Sequence, residues 1–213
     1  MSIICGNSEA IGTLTAVPTR AESDSKELVW ELVDRAKAGD RDALEQLYLL
    51  HFDRIYRYLQ MRVGDSHDAE DLTTQTFLKM LESIDRYNRR SVPFAAWLFR
   101  IAHNLSVDHF RAARRSRPAD EVPEPIGNHV PSAEERALGS IAHTSLLTLI
   151  NRLSDDQQKV VTLKFVFDFS NGEVATILGK TEGSVKSLQH RALDTLSSAM
   201  RPTRRREALA PAA

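Results

Sequence analysis

Apolar residues recur every three or four positions along most of the chain, which is the spacing of amphipathic α-helices. One such face follows Ser66 and consists of Ala69, Leu72, Thr73, Thr76, Phe77, Met80 and Ile84. Another follows Pro93, a residue suited to the first turn of a helix, and consists of Phe94, Trp97, Leu98, Ile101, Ala102 and Leu105. No strand-like alternation stands out, so the pattern predicts an all-α protein.

Two further helices are predicted before these. Ser25 is placed to cap the first and Gly39 to end it, and its apolar face is Leu28, Leu32, Val33 and Ala36. Asp40 can cap the second, which reaches Gly64 with the stripe Leu44, Leu47, Tyr48, Phe52, Ile55 and Leu59. The four helices over 25–117 can close a single bundle. Residues 1–24 show no sustained hydrophobic period and are predicted to be disordered.

A change of composition marks a domain boundary after this bundle. Residues 118–131 contain Pro118, Pro123, Pro125 and Pro131, which predicts a flexible linker. A second, smaller helical block follows over 132–200, and its predicted helix starts are capping-box pairs: Ser132 with Glu135, Ser154 with Gln157, and Ser170 with Glu173. Residues 201–213 form a basic tail that is predicted to be disordered. The fold class is therefore all-α, with two small helical domains joined by a flexible linker.

The end of the second block has the layout of a helix-turn-helix. Gly179 can end a short helix, and Thr181 can cap the next one. The buried face of that second helix is predicted to be Val185, Leu188, Ala192 and Leu196. The opposite face then carries hydrogen-bonding or cationic side chains suited to base edges and phosphates: Ser184, Lys186, Ser187, His190 and Arg191. A solvated helical hairpin is the alternative interpretation of this pattern alone.

Charge is segregated along the chain although the net charge is only −1. Basic clusters occur over 111–117 and 201–206, and acidic ones over 65–71 and 120–124, which indicates separate surfaces for different partners. The single cysteine excludes an internal disulfide, and no apolar run reaches the roughly 18 residues of a membrane span. These features predict a cytoplasmic protein without membrane insertion.

Three segments, in this order, resemble one known family. Residues 68–78 (DAEDLTTQTFL) are similar to sigma region two, residues 94–104 (FAAWLFRIAHN) to the helix that follows it, and Ser184-Val185-Lys186-Ser187 with His190-Arg191-Ala192 to the recognition helix of sigma region four. The chain thus resembles the extracytoplasmic-function (ECF) sigma factors of bacterial RNA polymerase. The resemblance covers about 25–117 and 132–200, as regions two and four.

The resemblance implies roles for particular residues of region two. The helix that would dock on the clamp helices of the polymerase β′ subunit carries Asp68, Asp71, Gln75 and Leu78, for which a solvated acidic face is the alternative. The residues that would bind and open the minus-ten promoter element are Tyr87, Arg100, Asn104, Asp108, Arg111, Arg114 and Arg115. Tyr87 and Asn104 would line a pocket for a base that leaves the stack. Trp97 is expected in the core, and His103 and His109 on a polar face.

Region four would read the minus-thirty-five element as duplex DNA through Ser184, Lys186, Ser187, His190 and Arg191. The chain has Leu188 and Gln189 where the commonest family pattern has Arg and Leu, and the apolar register predicts that Leu188 is buried. The resemblance also implies the β flap and an anti-sigma factor as partners, and no cofactor.

Three other classes of protein compete with this interpretation. One is a purely structural helical adaptor, which would have no effect on DNA. An enzyme is disfavoured because the sequence contains no metal-ligand spacing, phosphate-binding glycine loop or nucleophile motif. A conventional helix-turn-helix regulator remains the alternative, and it would bind operator DNA on its own as a dimer.

Overall fold

The structure is a computed structural model that describes residues 20–116, 150 and 152–200. Four predicted features lie outside the described residues: most of the N-terminal extension, the linker over 118–131, the Ser132–Glu135 capping box and the basic tail. Within them the chain forms seven α-helices and no strand, as the sequence predicts.

The first four helices form a bundle, called here the N-terminal bundle (20–116). They are α1 (Arg20–Lys37), α2 (Arg41–Val63), α3 (Ser66–Ser83) and α4 (Phe94–Ser116). A short 3-10 turn, Ile84–Arg86, leads into the loop between α3 and α4. The helices pack α1 on α2, α2 on α3 and α3 on α4, so that their apolar faces meet in one core.

Capping residues fix both ends of α2 at the predicted places. The Asp40 carboxylate accepts from the backbone N–H of Asp42 and Ala43, and Gly64 ends α2 in the left-handed conformation at φ 79°. The expectation for Ser25 is wrong: α1 begins at Arg20, five residues earlier, so Ser25 lies inside the helix. Residues 20–24, which were predicted to be disordered, are therefore helical.

The predicted apolar faces of α3 and α4 form the centre of the bundle core. Every predicted residue of the α3 face is buried, including Thr73 and Thr76, whose hydroxyls donate to the carbonyls of Ala69 and Leu72. Trp97 is buried against Phe94, which confirms its assignment to the core. On the predicted apolar faces of α1 and α2, Leu28 and Tyr48 are exceptions, since both are exposed.

The C-terminal domain (150 and 152–200) contains α5 (Asp155–Val161), α6 (Asn171–Leu178) and α7 (Glu182–Met200). Both predicted capping boxes that fall in it are formed, at the start of α5 and of α6. The last turn of α5 widens into a π-helical turn, Thr162–Val166. Gly179 ends α6 in the left-handed conformation at φ 63°, and the chain then reverses into α7.

The two domains also pack against each other, which the sequence did not predict. Helix α6 lies against α4, and Phe167 and Phe169 join the buried apolar cluster of the N-terminal bundle. His103, expected on a polar face, is buried near this contact, where it forms a 2.9 Å hydrogen bond with the Tyr58 hydroxyl. Its environment explains the correction, because α6 packs on α4 and the Tyr58 hydroxyl encloses the ring.

Candidate nucleic-acid interface

Helix α7 presents the predicted recognition residues to solvent. The Thr181 hydroxyl accepts from the backbone N–H of Ser184 at 3.2 Å and so caps the start of the helix. Val185, Leu188 and Ala192 are buried, which confirms the expected position of Leu188, and Gln189 is half-buried. All five predicted contact residues are exposed on the remaining face: Ser184, Lys186, Ser187, His190 and Arg191.

Acidic side chains lie beside two of these contact residues. Lys186 pairs with Glu182 at 2.8 Å, and His190 lies 2.9 Å from the Asp194 carboxylate. Arg191 instead donates its Nε–H to the Ser187 carbonyl at 3.3 Å. Exposed ion pairs of this kind contribute little to stability, so a phosphate can replace either carboxylate at small cost.

A second exposed stripe runs along α4. Its members lie about one helical turn apart or beside one another, and all are exposed: Arg100, Asn104, Asp108, Arg111, Arg114 and Arg115. Asn104 and Asp108 line a cavity of about 330 Å³ between α4 and the end of α3, together with Lys79, Glu82 and Ile101. The stripe therefore combines several cations with one concave, hydrogen-bonding site.

The structure separates Tyr87 from this cavity. The Tyr87 ring is only 4% exposed, packs on Phe94 and Trp97, and donates its hydroxyl to the Val92 carbonyl at 2.8 Å. Burial raises the pKa of Tyr87 to about 12. It lines a different cavity, of about 450 Å³, between α1 and the loop after α3. Tyr87 and Asn104 thus do not line one common pocket.

Helix α1 holds the loop after α3 in position. The Lys37 ammonium donates to the Tyr87 carbonyl at 2.5 Å, and Arg89 pairs with Asp34 at 3.2 Å. Trp30 and Asn88 line the same cavity. The sequence alone indicates no role for these residues, because most of them are polar or charged side chains typical of a solvated surface.

The predicted polymerase-binding residues lie on the outer side of α3. Asp71, Gln75 and Leu78 are exposed, and Leu78 is 54% exposed despite its size. Asp68 is half-buried, and its carboxylate is 3.4 Å from Nε2 of His109 on α4. Leu81, one turn beyond Leu78, is also exposed. Sequence reasoning missed Leu81, although its three-residue spacing from Leu78 could have indicated it.

Neither metal-binding clusters nor membrane-spanning helices are found in the described part of the chain. No group of three or more His, Cys, Asp or Glu side chains is close enough there to hold a metal ion. None of its helices combines the length and apolarity that a membrane span requires.

These features define a class of protein: an all-α, two-domain protein with a helix-turn-helix in the second domain. The family model for sigma-70 region 2 matches residues 47–116, and that for sigma-70 region 4 matches residues 143–196. The chain belongs to the ECF sigma factors of RNA polymerase. As a sigma factor, it binds RNA polymerase and directs promoter-specific initiation of transcription.

Named relatives support this membership. The chain is 42% identical over 178 residues to the ECF RNA polymerase sigma factor BldN of Streptomyces coelicolor, covering 83% of this chain and 67% of the relative. It is 33% identical over 171 residues to the ECF RNA polymerase sigma factor SigD of Mycobacterium tuberculosis, covering 78% and 80%.

Solved structures show the same fold. The structure of CnrH in complex with the cytosolic domain of CnrY matches with a TM-score of 0.60 at 23% identity, covering 80% of this chain and 96% of CnrH. The sigma factor RpoE in complex with the anti-sigma factor NepR from Bartonella quintana matches with a TM-score of 0.59 at 25% identity, covering 75% and 98%.

Proposed function

We propose that this sigma factor docks on the β′ clamp helices through α3, with Asp68, Asp71, Gln75 and Leu78 as contacts. The large apolar side chain of Leu78 is exposed beside acidic and amide groups. An exposed apolar patch with a polar rim is typical of a protein-binding surface. Leu81 extends that patch by one turn and joins the proposed contacts.

The α4 stripe is proposed to bind the opened minus-ten element. Arg100, Arg111, Arg114 and Arg115 would follow the phosphates, while Asn104 and Asp108 offer hydrogen-bonding groups to an unstacked base. A cavity of about 330 Å³ lies within the size range of small-ligand sites, roughly 300–1,000 Å³. Tyr87 contributes to this function by supporting the loop after α3 from beneath, since its ring is buried.

Helix α7 is proposed to read the minus-thirty-five element in the major groove through Ser184, Lys186, Ser187, His190 and Arg191. The observation that carries the whole proposal is that the residues proposed for the polymerase, the minus-ten and the minus-thirty-five contacts lie mainly on three different helices, α3, α4 and α7, and that all but Asp68 and Tyr87 are exposed. A protein that binds one polymerase and two stretches of one promoter requires such a separation.

Two further partners belong to the proposal. Phe165 and Val166, 55% and 59% exposed on the π-helical turn of the C-terminal domain, offer an apolar surface for the β flap. An anti-sigma factor is supported by the similar RpoE structure, which contains one. A polymerase subunit works where the polymerase is, so we place the protein in the cytoplasm.

A mobility-shift assay on a promoter fragment, with and without core polymerase, tests the proposal. We expect a specific shift only when core enzyme is present. Arg191→Ala should weaken binding to the minus-thirty-five element by about 1–3 kcal/mol, because a cation at the DNA is lost, while native co-purification with core is unchanged.

A matched control is Arg35→Ala, which removes an exposed cation from α1 outside all three faces. It should leave both measurements unchanged. Tight, specific binding of the promoter by the free protein would contradict the proposal and favour a conventional regulator.

A further inference from the structure

A second cavity lies near the proposed minus-ten residues and has no ligand in the function proposed above. It measures about 450 Å³, is situated between α1 and the loop after α3, and is called here the α1–loop cavity. This volume is within the size range of small-ligand sites, roughly 300–1,000 Å³. Most of its lining side chains are polar or charged, and the ring of Trp30 forms part of its wall.

The loop side of this cavity is held in one conformation. The Lys37 ammonium, which donates to the Tyr87 carbonyl, also lies over the Tyr87 ring at 5.9 Å from its centroid. Within the loop, the Ser91 hydroxyl donates to the Asn88 carbonyl at 2.7 Å. The cavity is therefore preformed, so a ligand that enters it pays little entropy for ordering the loop.

Trp30 offers an aromatic surface to a ligand in the α1–loop cavity. Its side chain is 36% exposed, which is high for so large an apolar ring. Asp34 and Lys37 follow it by four and seven residues on α1, and both contact the loop, so the three side chains share one face of the helix. Exposed aromatic rings of this kind are platforms on which unpaired bases stack.

Polar groups around the ring suit a nucleotide. The Asn88 side chain accepts the Arg90 backbone N–H at 3.0 Å through Oδ1, and its amide N–H groups point to no acceptor in the described part of the chain. The charged side chains of the lining are three cations and two carboxylates: Lys37, Arg86, Arg89, Asp34 and Asp85. The excess of cations favours a ligand that carries phosphate.

The loop covers one end of the same face of α4 that carries the proposed minus-ten cavity. Trp97, Ile101, Asn104 and Asp108 follow one another at helical spacing on that face. Trp97 is covered by Tyr87 of the loop, with ring centroids 5.1 Å apart, whereas the other three line the α4 cavity. Asn104 is two helical turns from Trp97, which is about 10 Å.

The two cavities are also close to each other at the end of α3. Ser83 lines the α4 cavity, and Asp85, two residues further along the chain, lines the α1–loop cavity. A single strand that leaves Asn104 in the direction of the loop therefore reaches Trp30 next.

We propose that the α1–loop cavity is a second site for an unstacked base of the melted promoter strand. The base would stack on Trp30, while Asn88 and Arg89 would contact its polar edge and the adjoining phosphate. The inference rests on the proposed assignment of Asn104 to the minus-ten element. Because every base has a face that can stack, the site should hold a base at this position with little regard to its identity.

A scan with 2-aminopurine, a base analogue whose fluorescence is quenched by stacking, locates the base. Holoenzyme assembled from this protein and core polymerase binds a promoter fragment whose melted region is held open by mismatches. The analogue replaces one base at a time in the non-template strand, on both sides of the base assigned to Asn104. At one position the fluorescence should rise severalfold when wild type is replaced by Trp30→Ala. If wild type and variant give the same fluorescence at every position, the inference is wrong.

An abasic site at the position found in this scan removes the base without changing the protein. The wild-type holoenzyme should bind the abasic fragment about tenfold more weakly than the complete one. Trp30→Ala should bind the complete fragment about tenfold more weakly than wild type and lose nothing further on the abasic one, because both changes remove the same contact. Losses that multiply in the combination would overturn the inference.

Trp30→Phe and Leu28→Ala are the matched variants. Phenylalanine keeps an aromatic face, so Trp30→Phe should retain most of the affinity for the complete fragment. Leu28 is 50% exposed on α1 but does not line the α1–loop cavity, so its replacement should have no effect. If Leu28→Ala weakens binding as much as Trp30→Ala does, the effect comes from α1 in general and stacking on Trp30 is refuted.

Co-purification with core polymerase and the variant Asn104→Ala separate this site from the proposed function. Trp30→Ala should bind core as the wild type does, and a loss of core binding would place Trp30 in a protein contact and overturn the inference. If Trp30→Ala binds the promoter normally while Asn104→Ala is impaired, the second site is refuted and the proposed function stands. If Asn104→Ala opens the promoter normally, the proposed minus-ten site itself fails.

Discussion

His51 is a buried histidine in the core of the N-terminal bundle that has no hydrogen-bond partner among the described residues. Both ring nitrogens are enclosed, and the ring packs on Phe94 at 5.4 Å. Burial, aided by the charge of Arg54, lowers the pKa of His51 to about 4. Its ring is therefore neutral in the folded protein near pH 7, and the core contains an imidazole that contributes packing but no hydrogen bond.

This residue should make the domain sensitive to acid. The unfolded chain takes up the proton below the ordinary pKa of about 6.5, whereas the folded chain resists it down to about 4, so stability falls as the pH decreases through that window. Between pH 7.5 and 5, His51 alone should lower the free energy of unfolding by about 2 kcal/mol. His51→Leu should remove this contribution and be about 1 kcal/mol more stable at pH 7.5, as urea denaturation at the two pH values will show.

His67→Gln is the control for this experiment, because the His67 side chain is exposed on α3. It should retain the acid sensitivity of the wild type. If His51→Leu loses as much stability on acidification as the wild type does, the buried imidazole is not the cause. Burial, aided by the charges of Arg62 and Lys159, also lowers the pKa of His103 to about 4. The stability of every variant therefore retains some dependence on acid.

Asn104 is the residue on which the proposed minus-ten site depends most. Asn104→Ala removes both hydrogen-bonding groups from the α4 cavity, so it should slow formation of the open complex by about tenfold and leave the initial closed complex unchanged. Permanganate footprinting of the opened strand measures formation of the open complex, and a filter-binding assay measures the initial closed complex. An equal loss of both would argue against a site for an unstacked base.

At the scale of elements, the reversal between α6 and α7 depends on Gly179. Its φ of 63° is unfavourable for a residue with a Cβ, although no atom lies within 4 Å of where that Cβ would be. Gly179→Ala should therefore lower the free energy of unfolding by about 1 kcal/mol through backbone strain alone. Chemical denaturation followed by circular dichroism gives the value.

Gly183 provides a matched control for this effect on the same helix pair. It lies in the first turn of α7 with no atom within 4 Å of its Cβ position and without a positive φ. Gly183→Ala should raise stability by about 0.5–1 kcal/mol, because alanine favours the helix. If both Gly→Ala substitutions change the free energy of unfolding in the same direction, the backbone conformation at Gly179 is not what determines the turn.

At the scale of the whole molecule, local patterns predicted the elements but not how the domains meet. The capping boxes at Ser154 and Ser170, the Gly179 turn and the exposed face of α7 follow from short-range rules of spacing and capping, and they are where the sequence places them. Asn104 and Leu78 are likewise exposed. Periodicity identifies a buried face, but it does not identify what covers that face. Nothing in the spacing of Phe167 and Phe169 therefore indicates that the N-terminal bundle covers them.

Long-range packing also explains the individual misassignments. His103 belongs to a polar face in sequence terms, yet Tyr58 and the C-terminal domain enclose it. Tyr87 is a loop residue by its position in the sequence, yet its ring lies under the loop against Trp97. In both cases the partner is more than nine residues away in the chain, beyond the reach of any helical repeat.

The acidic residues along α7 affect the sequence-independent affinity of the free subunit for chromosomal DNA. Glu182 lies beside Lys186 and Asp194 beside His190, and the chain has a net charge of −1. Because sequence-independent affinity grows with the number of phosphates neutralised, we expect the unassembled protein to bind random genomic sites poorly. It therefore stays available for capture by the transcription machinery instead of being sequestered along the nucleoid.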